Sequence, residues 1–218
     1  MKHHTPVTIS ALAVAAALAL AGCASGTPQS STSPAATSLA ASSATAADVS
    51  PEHGSNDVLF AQMMIPHHQQ AVTMSRTLLG KDGIPQDVRE LAERIVAAQG
   101  PEIDHMNQML QAWGQPAVTD SSGMGMNDGM MSDGAGNGMM SDEQMGQLDD
   151  AAGADAARIY LEQMIRHHRG AIVMAQNEVD NGQNPEAIAL AKAIITAQNA
   201  EIEEMEGLLV ADGLPSEQ

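Results

Sequence analysis

A chain of 218 residues carries nine basic against 27 acidic side chains, a formal charge of −18. That balance excludes nucleic acid as a partner, which demands clustered Lys and Arg to displace counterions. Only Phe60, Trp113 and Tyr160 are aromatic, so a core must be aliphatic and draw on the 16 Met, and the single cysteine excludes a disulfide framework or a multi-thiolate site.

Lys2 and the apolar run Val7–Ala21 read as a secretory signal over residues 1–22, short of the roughly 20 apolar residues that span a bilayer. Leu20-Ala21-Gly22-Cys23 resembles a bacterial lipoprotein cleavage box. The resemblance implies cleavage before Cys23, lipidation there, and an anchor on the extracytoplasmic face of the cell membrane. An ordinary secretory signal is the alternative, and either reading puts the mature chain outside the cytoplasm. Residues 23–54 form a tether, since the Ala, Ser, Thr and Pro of Ala24–Ser50 cannot bury enough surface to offset their ordering entropy.

From residue 55 the chain is written twice. Phe60–Met74 recurs as Tyr160–Met174; Gln99, Glu102, Ile103 and Met106 recur as Gln198, Glu201, Ile202 and Met205. Each copy predicts a helical hairpin, residues 55–118 and, behind a short helix, 141–218. In the first helix Phe60, Met64, His67, Ala71, Met74 and Leu78 step by alternate fours and threes, a heptad seam. Asp57 is the expected cap, and Pro66 predicts a kink just before the histidines. The second helix begins near Pro85 and ends at Gly114; Asn184-Pro185 opens the last helix. Ser141 with Gln144 predicts a capping box and a short helix from Asp142 to about Ala152. Two hairpins of amphipathic helices predict an all-α four-helix bundle. Residues 119–140, rich in Gly and Met, predict a structureless loop, long for a compact domain unless it has its own task.

Polar side chains occupy the seam in both copies, where they cost several kcal/mol unless paired or bound to metal. An antiparallel turn near Gly83 places His67 opposite Gln99 and Met64 opposite Glu102; the second turn places His167 opposite Ala200, beside Glu201. Neighbours on a helix lie about 100° apart, so one histidine of each doublet faces its own hairpin and the other the opposing one, lining one central site or two. The candidate metal ligands are His67, His68, His167 and His168, then Met64, Met164, Glu102 and Glu201. A structural alternative is a core histidine bonded to Gln or Glu. Ala71, Gly170 and Ala171 leave room for an ion or for close helix packing. Met124, Met126, Met130, Met131, Met139 and Met140 form a second, flexible group whose soft sulfur suits Cu(I), while imidazole adds Cu(II).

Met64-Ile65-Pro66-His67-His68-Gln69-Gln70-Ala71-Val72-x-Met74, its second copy Met164–Met174, Gln99-x-x-Glu102-Ile103-x-x-Met106 and Gly138–Met145 resemble the signature of domain-of-unknown-function family 305 across Ser55–Pro215. The resemblance implies a ferritin-like four-helix fold in a secreted or membrane-attached bacterial protein, with copper binding by Met and His in some members. The functional expectation is a lipid-anchored copper-binding protein that sequesters the metal. One rival is a ferritin-like dimetal oxidoreductase, suggested by Glu102-x-x-His105 but lacking its second copy, where Glu201 and Glu204 stand. Another is a metal-free interaction module whose polar seam fixes helix register.

Overall fold

The computed structural model describes residues 49–116, 118 and 137–211. Among these the chain is entirely helical: α1 (Ser55–Leu79), α2 (Gln86–Ala112), α3 (Asp142–Asp150), α4 (Gly153–Asn181) and α5 (Pro185–Ala211). Cys23, Met124, Met126, Met130 and Met131 lie outside the described residues.

The helix ends refine the expected caps. Asp57 sits inside the first turn of α1, behind Gly54, and its carboxylate accepts the Gly54 N–H at 2.6 Å. Pro85 stands just before α2, where its fixed φ leads into the helix without costing it a hydrogen bond. Asn184 caps α5, its Oδ1 accepting the N–H groups of Glu186 and Ala187 at 3.0 Å each. The capping box ahead of α3 forms as expected: Ser141 Oγ accepts the Gln144 N–H at 3.3 Å, and Gln144 Oε1 accepts the Ser141 N–H at 3.0 Å. The helix it starts is nine residues long, about two and a half turns, and ends at Asp150. Both Pro66 and Pro101 lie within continuous helices.

α1 pairs with α2 and α4 with α5, and the hairpins join mainly through α1 and α4. The aliphatic core falls into two buried clusters. One takes Met64 and Ile65 from α1 with Ala171 and Ala175 from α4. The other takes Ala71 and Met74 from α1 with Leu161 and Met164 from α4. The reversed order shows that α1 and α4 run antiparallel and cross between the clusters, where both histidine doublets stand. Each fully buried Met, Leu or Ile contributes roughly 1.5–3 kcal/mol of burial, so the clusters hold the polar layer in place from both sides. Ser75 and Tyr160 bond across the same helix pair at 2.9 Å.

Ahead of α1, the chain lies against the bundle end. Trp113 Nε1 donates to the Ser50 carbonyl at 3.1 Å, and Asn184 Nδ2 donates to the carbonyls of Ser50 and Glu52 at 3.1 and 2.9 Å. His53 stacks on the Trp113 indole with 5.1 Å between ring centroids.

Candidate metal centre

The roughly 100° step between successive helical residues splits each doublet. His68 turns toward its own hairpin partner, and its Nε2 donates to Glu102 Oε2 of α2 at 2.8 Å. His168 does the same in the second copy, donating to Glu201 Oε2 of α5 at 2.6 Å. His67 and His167 turn toward each other, and their rings meet across the α1–α4 contact with centroids 3.7 Å apart and planes tilted by 35°. The outer rings lie 6.5 and 6.4 Å from their inner neighbours. One continuous row of four imidazoles thus runs between two carboxylates.

All four histidines are buried, as are Met64 and Met164. The ring nitrogens Nδ1 of His67, His68 and His168, and both nitrogens of His167, have no hydrogen-bond partner among the described residues. Gln99 and Gln198, at matching positions of α2 and α5, are also buried with side chains unbonded. Buried polar atoms without partners cost about 1–3 kcal/mol each, so their concentration in one layer is not an ordinary core.

Desolvation pushes the His67 pKa down to about 3, helped by the neighbouring His68 and His168 and opposed by its bond to the Asn137 carbonyl. Burial likewise carries His167 well below the usual imidazole range, with His67, His168 and His68 adding to it and the His67 backbone carbonyl opposing. The inner pair is therefore neutral at physiological pH, the form in which imidazole lone pairs bind metals.

In the first hairpin the sequence register misses by about a turn: Glu102 meets His68, four residues beyond the expected Met64. In the second, Glu201 meets His168, one residue from the expected His167. An antiparallel count from the turn glycine places helices only to within one turn, because it ignores how the connecting loop spends its residues. Glu102 and Glu201 reach the outer histidines, not the inner pair. Among the described residues no three His, Cys, Asp or Glu side chains converge into a metal-holding group. His105, the other half of the dimetal spacing, has its pKa lowered by burial and opposed by Glu186 of α5 and by Glu102.

Asn137 and Gln70 were missed. The Asn137 backbone carbonyl accepts the His67 Nε2–H at 2.8 Å. Gln70 grips Met140, donating to its carbonyl at 2.8 Å and accepting its N–H at 2.7 Å. Met140 is buried, and its sulfur accepts from Arg166 Nη2 at 3.7 Å. Gly170 leaves room for backbone, not for an ion: a Cβ there would stand 1.8 Å from the Asn137 oxygen. The divergence of Gln70 from Gly170 at one repeat position was the available signal.

These elements define a ferritin-like, all-helical bundle built from two helical hairpins, with a buried histidine row where the copies meet. The chain belongs to the family described as domain of unknown function DUF305, which it matches over residues 57–209. It is similar to a DUF305 fragment from Deinococcus radiodurans, 34% identical over 74% of this chain and 99% of that one, with a TM-score of 0.63. It is also similar to a DUF305 protein from Streptomyces coelicolor named as secreted, at 32% identity over 75% and 96% of the two chains and a TM-score of 0.64. CopM in its Cu(II)-bound form is 33% identical over 70% of this chain and 94% of that one, with a TM-score of 0.57. No curated protein matches the chain in sequence.

Proposed function

We propose that this protein binds and sequesters copper outside the cytoplasm, tethered to the membrane through a lipid on Cys23. The observation that carries the reading is the close-packed, buried and neutral His67–His167 pair at the crossing of the two copies, with ring nitrogens that have no partner among the described residues. Buried polar atoms of this kind suit a cation cargo. Similarity to CopM, known in Cu(I)-, Cu(II)- and silver-bound forms, favours copper, as does the neighbourhood of buried Met64 and Met164. Location outside the cytoplasm is supported by the signal-like first 22 residues and by the secreted relative. Among the described residues no helix is long and apolar enough to cross a membrane.

His67, His68, His167 and His168 act as donors, with Met64 and Met164 as soft auxiliaries. The carboxylates of Glu102 and Glu201 accept from the outer rings, so those rings carry a proton on Nε2, and Nδ1 is the nitrogen left for a cation. Glu102 and Glu201 then orient ligands, as carboxylates behind metal-binding histidines commonly do. Met139, with the methionines outside the described residues, forms a lower-affinity capture group; Met140, buried and bonded through its sulfur to Arg166, stands apart from it. The dimetal oxidoreductase reading gains nothing from the geometry, because Glu102 is occupied by His68.

Titrating Cu(I), Cu(II) and Ag(I) into the mature protein tests the proposal. The H67A/H167A variant is expected to lose the tight site. The E102Q/E201Q variant should keep the stoichiometry and lose about 10–100-fold in affinity. Equal stoichiometry and affinity in H67A/H167A and the unaltered protein would remove the histidine centre from the account.

A further inference from the structure

The two copies bring equivalent histidines together, yet the surroundings are not equivalent. At one repeat position the first copy carries Gln70 and the second Gly170. Both differences serve the same short strap, Asn137–Met140. Gln70 holds the strap by both backbone groups of Met140. Gly170 provides its seat, since a Cβ there would fall 1.8 Å from the Asn137 oxygen and 2.6 Å from the Gly138 nitrogen. Gly138 itself has φ +76, and a Cβ on it would stand 2.5 Å from the Arg166 carbonyl oxygen. Only glycine tolerates both that backbone conformation and that approach.

The strap ends on His67. A carbonyl oxygen only accepts, so the 2.8 Å contact with Asn137 requires the proton on His67 Nε2. Nδ1 is left as the lone pair, buried and unpartnered. His167 has no bond of that geometry at either nitrogen among the described residues; the His67 backbone carbonyl faces its ring without completing one.

We propose that the Asn137–Met140 strap, clamped by Gln70 and seated on Gly170, is a positioning element that fixes the His67 proton on Nε2 and presents Nδ1 to a soft monovalent cation. The donor role rests on the copper reading above; the tautomer does not. The strap makes the two inner imidazoles unequal: one arrives with its donor atom set, the other adjusts. Gln70, Gly170 and the Asn137 carbonyl act through His67, without contacting the cation themselves.

The test begins on metal-free, 15N-labelled protein at neutral pH, by long-range 1H–15N spectra of the histidine rings. The unaltered protein should show His67 as the Nε2–H tautomer. G170A, which adds a helix-favouring methyl under the strap, should shift His67 to a mixture of tautomers while His68 and His168 keep theirs. Q70A, which frees Met140 without touching the α4 backbone, should move His67 in the same direction. Ag(I) titration should then show a loss of about 10–100-fold in affinity at unchanged stoichiometry. An unaltered Nε2–H signal from His67 in both variants overturns the proposal, as does an unchanged silver affinity alongside a shifted tautomer. Silver failing to bind the unaltered protein would instead overturn the copper reading and the donor role with it, leaving the tautomer assignment to stand on its spectra.

Discussion

Glu178 and Asp57 illustrate how two acids can share a buried corner. Both are fully buried. Burial alone would raise the Asp57 pKa, but the backbone N–H groups of Gly54, Asn184 and Gln183, with the Glu178 carboxyl, outweigh it and hold the group below its ordinary value. Glu178 takes the opposite role: burial, then the adjoining Asp57, lift its pKa to about 8. The folded protein therefore binds a proton there that the unfolded chain releases above pH 4.5, and stability must fall as pH rises between those values. Thermal melts from pH 5 to 9 should show Tm declining toward pH 8, and E178Q should flatten that decline. A flat profile in the unaltered protein would mean that Glu178 is ionised when folded. Nothing in the sequence marked this pair, because Glu178 has no special spacing and meets Asp57 only through the fold.

At the level of the helix, the heptad spacing located α1, α2, α4 and α5 because it reports burial, which tertiary packing enforces. Capping chemistry located α3, too short for a period to be read. Register was less legible, since the position of Glu102 against His68 depends on the path of residues 80–85. Proline is the clearest conflict between local and tertiary preference. Pro66 stands in the interior of α1 and cannot donate to the Gln62 carbonyl, while Arg166 at the same place in α4 can donate to the carbonyl four residues before it. P66A is expected to stabilise the protein by about 1–3 kcal/mol, measured by urea unfolding. A loss of stability would show that the buried ring contributes more packing than the missing hydrogen bond costs.

Across the whole molecule, the repeat made the meeting of the histidines legible, while their neutral state was not. The sequence suggests protons competing with metal near pH 6, the range of a solvated imidazole; burial between two aliphatic clusters moves the inner pair far below it. The centre also lies on the contact that joins the hairpins, so a cation held there would tie α1 to α4. Copper at about 100 times its Kd should add about 2.7 kcal/mol to folding stability, seen as a higher Tm in the unaltered protein and no change in H67A/H167A. An equal rise in both would assign the metal to another place.

The only indole is Trp113, stacked on His53 and bonded to Ser50, in the segment just ahead of α1. Along α2 it lies about 16 Å from Glu102, at 1.5 Å per residue. Intrinsic fluorescence is thus a local lamp at the bundle's end. It brightens or dims with the fastening of the leading segment, and a cation settling among the imidazoles reaches it only by quenching through space or by a change relayed along the helix.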